Sequence, residues 1–177
     1  MDLNNIINCK KITIIGCSGS GKSTLALELG KILNLPVCHV DCYYWQPNWQ
    51  KPKHKDFLRC MKIITKGEAW ITEGTYSSTL KNRFKKSDLI ISLDLPMEVC
   101  LASASLRHEN KQRLGLPSYL GETNENFQGL INHIENYAEY HKDYVAPLMK
   151  KYQHKIITFT TREHARNFIK QLQDIKK

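Results

Sequence analysis

Residues 12–23 read Ile12-Thr13-Ile14-Ile15-Gly16-Cys17-Ser18-Gly19-Ser20-Gly21-Lys22-Ser23. A β-branched apolar run opens directly into the pattern G-x-x-x-x-G-K-S. Leu25, Leu29, Ile32 and Leu33 then recur at helical spacing, until Asn34 and Pro36 signal a stop. A chance Gly/Ser turn would lack this flanking strand and helix. In such a loop the glycines let backbone N–H groups turn inward onto phosphate oxygens. Gly16, Cys17, Ser18, Gly19, Ser20, Gly21, Lys22, Ser23 and Thr24 are therefore read as the cradle of a nucleoside triphosphate. Lys22 reaches the β- and γ-phosphates and the Ser23 hydroxyl holds Mg²⁺. The N-terminus of the following helix adds about half a positive charge.

Outward from this stretch, strand and helix patterns alternate along the 177 residues. Strands are predicted at 12–15, 37–40, 70–72, 89–93 and 156–159. Helices are predicted at 22–33, 55–66, 78–86, 96–111 and 125–152, with a last one beyond residue 160. Pro147 is expected to kink the long helix. Leu89-Ile90-Ile91-Ser92-Leu93 is apolar toward both faces, as a buried parallel strand requires. The fold class is thus α/β: a five-stranded parallel sheet with helices on both faces, in one domain. Ligands of such sheets bind beyond the carboxyl ends of the strands. Asp41, Glu73 and Asp94 all fall at strand ends, on the rim that carries the phosphate loop.

Alone, Asp41 or Glu73 reads equally well as a helix cap or a turn residue. Beside a phosphate loop they become candidates for chemistry. Glu73, with Ser23, is a candidate for the metal shell. Asp41 either shares that shell or orients and deprotonates an acceptor hydroxyl. The segment Asp41-Cys42-Tyr43-Tyr44-Trp45-Gln46-Pro47-Asn48-Trp49 crowds aromatic rings into a polar loop, on which a base or sugar can stack or which simply pack the loop down. Arg83, Arg107 and Arg113 supply guanidinium groups for phosphate oxygens. His108, His133, His141 and His154 are scattered and read as surface residues.

Composition bounds the function. Hydrophobic residues make up 41% and charged residues 24%, ordinary for a globular domain. No stretch approaches a membrane span and no secretion signal opens the chain, so a cytoplasmic location is expected. The net charge of +9 admits an anionic ligand. The lysines and arginines are nevertheless spread in pairs such as Lys10-Lys11 and Lys85-Lys86, without a dense basic block. Nucleic acid is therefore not the favoured partner. Cys9, Cys17, Cys38, Cys42, Cys60 and Cys100 show neither C-x-x-C nor zinc spacing, and read as reduced small hydrophobes. Cys17 stands apart because oxidation inside the phosphate loop would block binding.

Taken together, Gly16–Ser23, His39-Val40-Asp41 with Trp45, Pro47 and Trp49, Trp70 to Ser77, Arg83, and Leu93-Asp94-Leu95-Pro96 resemble the bacterial DNA topology modulation protein family. These are small P-loop proteins related to adenylate kinase and other nucleoside monophosphate kinases. The resemblance covers residues 10–107, and D-x-x-x-W-x-P-x-W is its specific part. It implies strand order 2-3-1-4-5, ATP as donor and Mg²⁺ as cofactor. It also implies an acceptor-binding region at about 41–67 and a lid at about 107–126. Asp41, Tyr44, Trp45, Glu73, Gly74, Tyr76 and Arg83 would lie on the acceptor side, and Arg107 on the lid side. Two departures stand out. Ser103 occupies the place of an arginine that in adenylate kinase covers the adenine, and the lid carries only Arg107 and Arg113.

The reading is Mg²⁺-dependent phosphoryl transfer from ATP to a small acceptor, a nucleotide or nucleoside. Lys22, Arg107 and Arg113 would stabilise the migrating charge. Two alternatives stay open: a metabolite kinase of the shikimate or gluconate type, and an ATP-binding regulator acting on DNA topology with little kinase activity.

Overall fold

The computed structural model describes residues 2–110, 117 and 124–176. After a short helix α1 (Leu3–Ile7), strand β1 (Lys11–Gly16) leads into α2 (Lys22–Leu33) and β2 (Val37–His39). Then follow α3 (Asp41–Tyr44), a 3₁₀ turn (Pro47–Trp49), α4 (His54–Ile64), β3 (Trp70–Glu73), α5 (Ser77–Lys86), β4 (Leu89–Leu93) and α6 (Met97–Glu109). The C-terminal part comprises α7 (Asn124–Glu135), α8 (Tyr137–Tyr140), a π-helical turn (His141–Val145), α9 (Ala146–Lys151), β5 (Ile156–Phe159) and α10 (Arg162–Ile175). The strands form one parallel sheet in the order β2-β3-β1-β4-β5.

Strand periodicity explains the layers. Ile12 and Ile14 of β1, with Leu89, Ile91 and Leu93 of β4, face a core closed by α2 and α10. Ile15 and Ile90 face the opposite side, against Leu80 and Phe84 of α5 and Val145. Each such fully buried Ile or Leu contributes about 1.5–3 kcal/mol. Thr13 points to the second face as a buried polar residue, its hydroxyl 2.8 Å from Ser87 Oγ and 3.2 Å from Thr72 Oγ1. On α2, Gly30 lets the helix sit close to the sheet, since a Cβ there would meet Val37 Cγ2 at 2.6 Å. Asn34 ends α2 at φ +55°, and its N–H bonds to the Gly30 carbonyl.

Two expectations change. The long helix predicted at 125–152 is a succession of α7, α8, the π-helical turn and α9. Pro147 lies in the first turn of α9 and cannot donate to the carbonyl four residues earlier, and the π-helical turn covers that place. The aromatic loop after Asp41 holds regular structure: α3, then a turn in which Asn48 and Trp49 adopt φ +59° and +56°. Among the described residues, no helix is long and apolar enough to cross a membrane.

Candidate active site

Parallel register brings the rim together. His39 pairs with Glu73, Ile14 also pairs with Glu73, and Gly16 pairs with Leu93. The carboxyl ends of β1, β2, β3 and β4 therefore converge on a cavity of about 1240 Å³. That volume exceeds a usual single-ligand pocket of roughly 300–1,000 Å³ and leaves room for two small molecules.

Gly16–Ser23 forms the floor. Gly19 and Gly21 hold φ +81° and +96°, a region L side chains rarely adopt. At Gly19 space is also decisive, because a Cβ would lie 2.2 Å from the Cys100 carbonyl oxygen on α6. Backbone cannot yield as a side-chain tip does. Gly19→Ala is expected to cost about 2–5 kcal/mol from left-handed strain plus overpacking. A thermal melt within a degree or two of wild type would refute this account of the loop.

Gly21 caps α2 without a side-chain acceptor, so the first-turn N–H groups stay directed at the cavity. The Ser20 hydroxyl, buried in the loop, lacks a protein partner. These features fit a phosphate group. Lys22 Nζ donates to the Cys17 carbonyl at 2.8 Å, while lining the cavity. The Cys17 side chain is buried beneath the loop, and its hydrogen bond with Cys100 together with burial pushes the thiol up. The same hydrogen bond pulls the Cys100 thiol down, so Cys100 and not the loop cysteine is the more acidic of the two.

Ser23 Oγ donates to Glu73 Oε1 at 3.1 Å, and His39 Nδ1 lies 2.7 Å from the same oxygen. Burial pushes the Glu73 carboxyl upward. The His39 hydrogen bond, the Lys22 charge and the Ser23 hydroxyl outweigh that and hold it below the ordinary 4.5. An ionised carboxylate only accepts, so His39 Nδ1–H is the donor. A carboxyl whose folded pKa lies below its unfolded value stabilises the fold above the unfolded value. It loses that contribution as pH falls through the folded one. Glu73→Gln is therefore expected to melt below wild type at pH 7, with the gap closing as pH drops below 4.5. A gap that stays constant through acid would contradict the pairing.

On the other wall, Tyr76 Oη donates to Asp41 Oδ1 at 2.6 Å. Burial and the Asp41 charge raise the Tyr76 phenol well above its usual value, so it stays a neutral donor. Tyr44 packs on Tyr76 with centroids 4.5 Å apart and meets Trp45 edge-on at 4.9 Å; Trp45 meets Trp49 at 5.3 Å. Tyr44, Trp45, Trp49, Gly74 and Tyr76 line the cavity. Tyr43 instead points away as an exposed ring. Arg107 and Thr24 line the cavity as well, while Arg113 lies outside the described residues.

Arg83 corrects an expectation. It is fully buried beneath the β3–α5 loop rather than on the cavity wall. Its guanidinium donates to the Gly74 carbonyl at 2.8 Å and to Thr79 Oγ1 at 3.1 Å. Burial pushes its pKa down to about 10, opposed by Glu73 among other groups, so it stays charged at neutral pH. Arg83 is thus an interior charge that props the β3–α5 loop from beneath.

Several residues escaped sequence reasoning. Thr75 Oγ1 accepts from Gly16 N–H and donates to Gly16 O, both at 2.9 Å, clamping the β3 loop to the phosphate loop. Tyr140 Oη donates to the Thr75 carbonyl and accepts from Ser77 N–H, each at 2.9 Å. His133, read as surface, lines the cavity; burial and Lys22 lower its pKa against Asp41. Arg162, at the start of α10, donates to the Gly19 carbonyl at 3.0 Å and to Ser103 Oγ. A guanidinium thus reaches the Ser103 side chain from another helix. Its only local signal was a position just after the β5 strand end.

No family model matches the chain. A Bacillus subtilis (strain 168) protein, the uncharacterized YqaC, is 36% identical over 115 residues, 60% of this chain. The chain spans 60% of that relative's length. The deoxyadenosine kinase of Dictyostelium discoideum is 25% identical over 167 residues, 71% of this chain and 68% of that protein. Among solved structures, shikimate kinase from Acinetobacter baumannii in complex with shikimate aligns with a TM-score of 0.60 at 17% identity. That alignment covers 98% of this chain and 96% of the neighbour. A gluconokinase from Sinorhizobium meliloti 1021 aligns with a TM-score of 0.57 at 13% identity, covering 94% and 91%. The sheet order, the phosphate loop and these neighbours together show that the chain has the α/β fold of the P-loop kinases.

Proposed function

We propose that the protein transfers the γ-phosphoryl group of ATP to a hydroxyl of a small acceptor, a nucleotide or nucleoside. One observation carries the reading: a phosphate cradle with Lys22 shares a single cavity with the Ser23–Glu73 pair and with Asp41. The Dictyostelium relative, a deoxyadenosine kinase, supports a nucleoside-type acceptor. Lys22 and Arg107, with Arg113, would stabilise charge on the transferring group. Asp41, held by Tyr76, would orient the acceptor hydroxyl and take its proton. Arg162 lies beside Ser103, where the resemblance leads one to look for an arginine over the base, and would steady the donor's base side.

Ser23 and Glu73 suit Mg²⁺, which binds through few protein oxygens and keeps water and phosphate oxygens for the rest. Among the described residues, no cluster of three or more His, Cys, Asp or Glu side chains would hold a metal unaided. When bound, Mg²⁺ neutralises charge on the β- and γ-phosphate oxygens. The acceptor region at about 41–67 and the lid at about 107–126 belong to this proposal, as do the kinship with DNA topology modulation proteins and a cytoplasmic location. Six cysteines with neither C-x-x-C nor zinc spacing suit a reducing compartment.

A metabolite kinase is the second reading, favoured by the overlay with a shikimate kinase and a gluconokinase. An ATP-binding regulator of DNA with little kinase activity would draw on the basic charge and on a lid with only Arg107 and Arg113. Acceptor-stimulated ADP release, measured across a panel of acceptors with ATP and Mg²⁺, tests all three. Salt-dependent DNA binding without such stimulation would overturn the kinase reading.

A further inference from the structure

Beyond the end of the β1–β3 ladder, a side chain takes over from the strand. The register between the two strands ends at Ile14 and Glu73, and the Gly74 N–H still donates to the Ile14 carbonyl at 3.1 Å. Alternate residues of a strand direct their backbone groups to the same neighbour, so Gly16 presents its N–H and carbonyl toward the chain that follows β3. There the Thr75 hydroxyl meets both groups, accepting from the one and donating to the other at 2.9 Å. One hydroxyl thus stands in for a ladder pair. On its other side Gly16 pairs with Leu93 of β4, and a Cβ on it would lie 2.6 Å from the Leu93 carbonyl oxygen. The start of the phosphate loop is therefore gripped between β4 and Thr75.

A hydroxyl has one proton to give. Thr75 gives it to the Gly16 carbonyl, so Thr75 lines the cavity without a donor left for a phosphate oxygen. Its influence on the site runs through Gly16. The β3–α5 loop that carries Thr75 is itself held in place. Arg83 donates to the Gly74 carbonyl from beneath, and Tyr140 Oη donates to the Thr75 carbonyl from α8. The same phenol accepts from the Ser77 N–H, a first-turn donor of α5 for which the cap residue Tyr76 supplies no side-chain bond. Next in the chain after Thr75 comes Tyr76, which donates to Asp41 at 2.6 Å. Thr75 thus links the phosphate loop, through Gly16, to the wall that holds Asp41, through Tyr76. In a transfer between two bound molecules, a misplacement of about 1 Å costs about 10²-fold in rate.

We propose that Thr75 is a positioning residue for phosphoryl transfer: its hydroxyl fixes the spacing between the phosphate loop and the Asp41 wall, and Tyr140 holds its backbone from α8. This rests on the phosphoryl-transfer reading above.

The test supplies the full chain with ATP and Mg²⁺ and offers deoxyadenosine, its 5′-monophosphate, shikimate and gluconate. The acceptor that wild type turns over fastest is carried to the variants, each assayed well below its own melting temperature. Thr75→Val keeps the shape of the side chain and removes the hydroxyl. It is expected to lower kcat about 10- to 100-fold and to leave the KM for ATP within about threefold, the split that misplacement of bound reactants produces. Thr75→Ser retains the hydroxyl and is expected to keep kcat within about threefold of wild type. Tyr140→Phe is expected to lower kcat about three- to tenfold, because the loop keeps its bond to Gly16 and loses its outer support. In Thr75→Val the ratio of ADP released to acceptor phosphorylated is also expected to rise, since a loosened spacing admits water as a competing acceptor. A mere loss of folded protein lowers both quantities together and leaves that ratio unchanged.

Wild-type kcat in Thr75→Val, or a Thr75→Ser variant as slow as Thr75→Val, overturns the positioning role and leaves phosphoryl transfer standing. A rise in the KM for ATP that accounts for the whole loss overturns it too, and makes Thr75 part of the nucleotide site. Should Thr75→Val fail to fold, Tyr140→Phe decides, and wild-type kcat with an unchanged ratio there ends the proposal. If none of the compounds stimulates ADP release by wild type, the phosphoryl-transfer reading itself fails and takes this inference with it.

Discussion

Lys22→Ala is expected to lower turnover by about 10²–10³-fold, the scale seen when one preorganised donor to developing charge is removed. The Lys22 ammonium now donates to the Cys17 carbonyl, the first residue after Gly16 in the loop. Its stem emerges at the first position of α2, so it can swing from that carbonyl onto phosphate oxygens without moving the helix. The fold contributes little to the effect. One partly exposed hydrogen bond is worth about 0.5–1.5 kcal/mol, so the melting temperature should move by only a few degrees. Lys22→Arg is not expected to restore activity. The longer planar fork does not deliver a compact point charge through a loop sized for an ammonium. Steady-state turnover beside a thermal melt separates the two effects, and full turnover in the alanine variant would overturn the assignment of Lys22.

Asp41→Asn is expected to lower kcat by about 10²–10⁴-fold, the usual contribution of a positioned general base. The amide keeps the size of the side chain and still accepts from Tyr76 Oη, so the wall should stay in place. What disappears is the negative charge and the proton acceptor. ATP affinity should be unchanged, because the phosphate cradle is built from β1, α2 and the backbone between them. Titration with a non-hydrolysable ATP analogue, set against kcat for the best acceptor, checks this. Wild-type kcat in Asp41→Asn would move the proton acceptor elsewhere. An equal loss of ATP affinity would shift Asp41 to the donor side.

These two residues also show how far the chain can be read locally. Lys22 is legible because strand, loop and helix are contiguous, so backbone geometry over 12 residues defines its surroundings. Asp41 and Glu73 are legible at one remove. Parallel strands must end on a common rim, and both residues stand at strand ends. The aromatic run 43–49 was visible, but its division was not: Tyr44, Trp45 and Trp49 line the cavity while Tyr43 faces solvent. Helical turns in α3 set that division, and the composition of a short polar segment does not reveal them.

Arg83 is the instructive failure. A guanidinium a turn or two beyond Glu73 looked like a ligand for an anionic acceptor. The fold turns it inward, where the Gly74 carbonyl and Thr79 hold it and its charge balances Glu73. That reversal takes Arg83 off the cavity wall and makes it part of the support beneath the β3–α5 loop.

By itself, the amino-acid sequence determined the sheet, the phosphate loop and the acidic rim, because hydrophobic periodicity and glycine placement act over short spans of chain. Only the tertiary structure decided which charges face the cavity. His39 against Glu73, Thr75 against Gly16, Tyr140 against the β3 loop and Arg162 against Ser103 join residues 34 to 65 positions apart. Side-chain direction at such distances follows from helix rotation and from the closing of loops over the core, which no local pattern encodes.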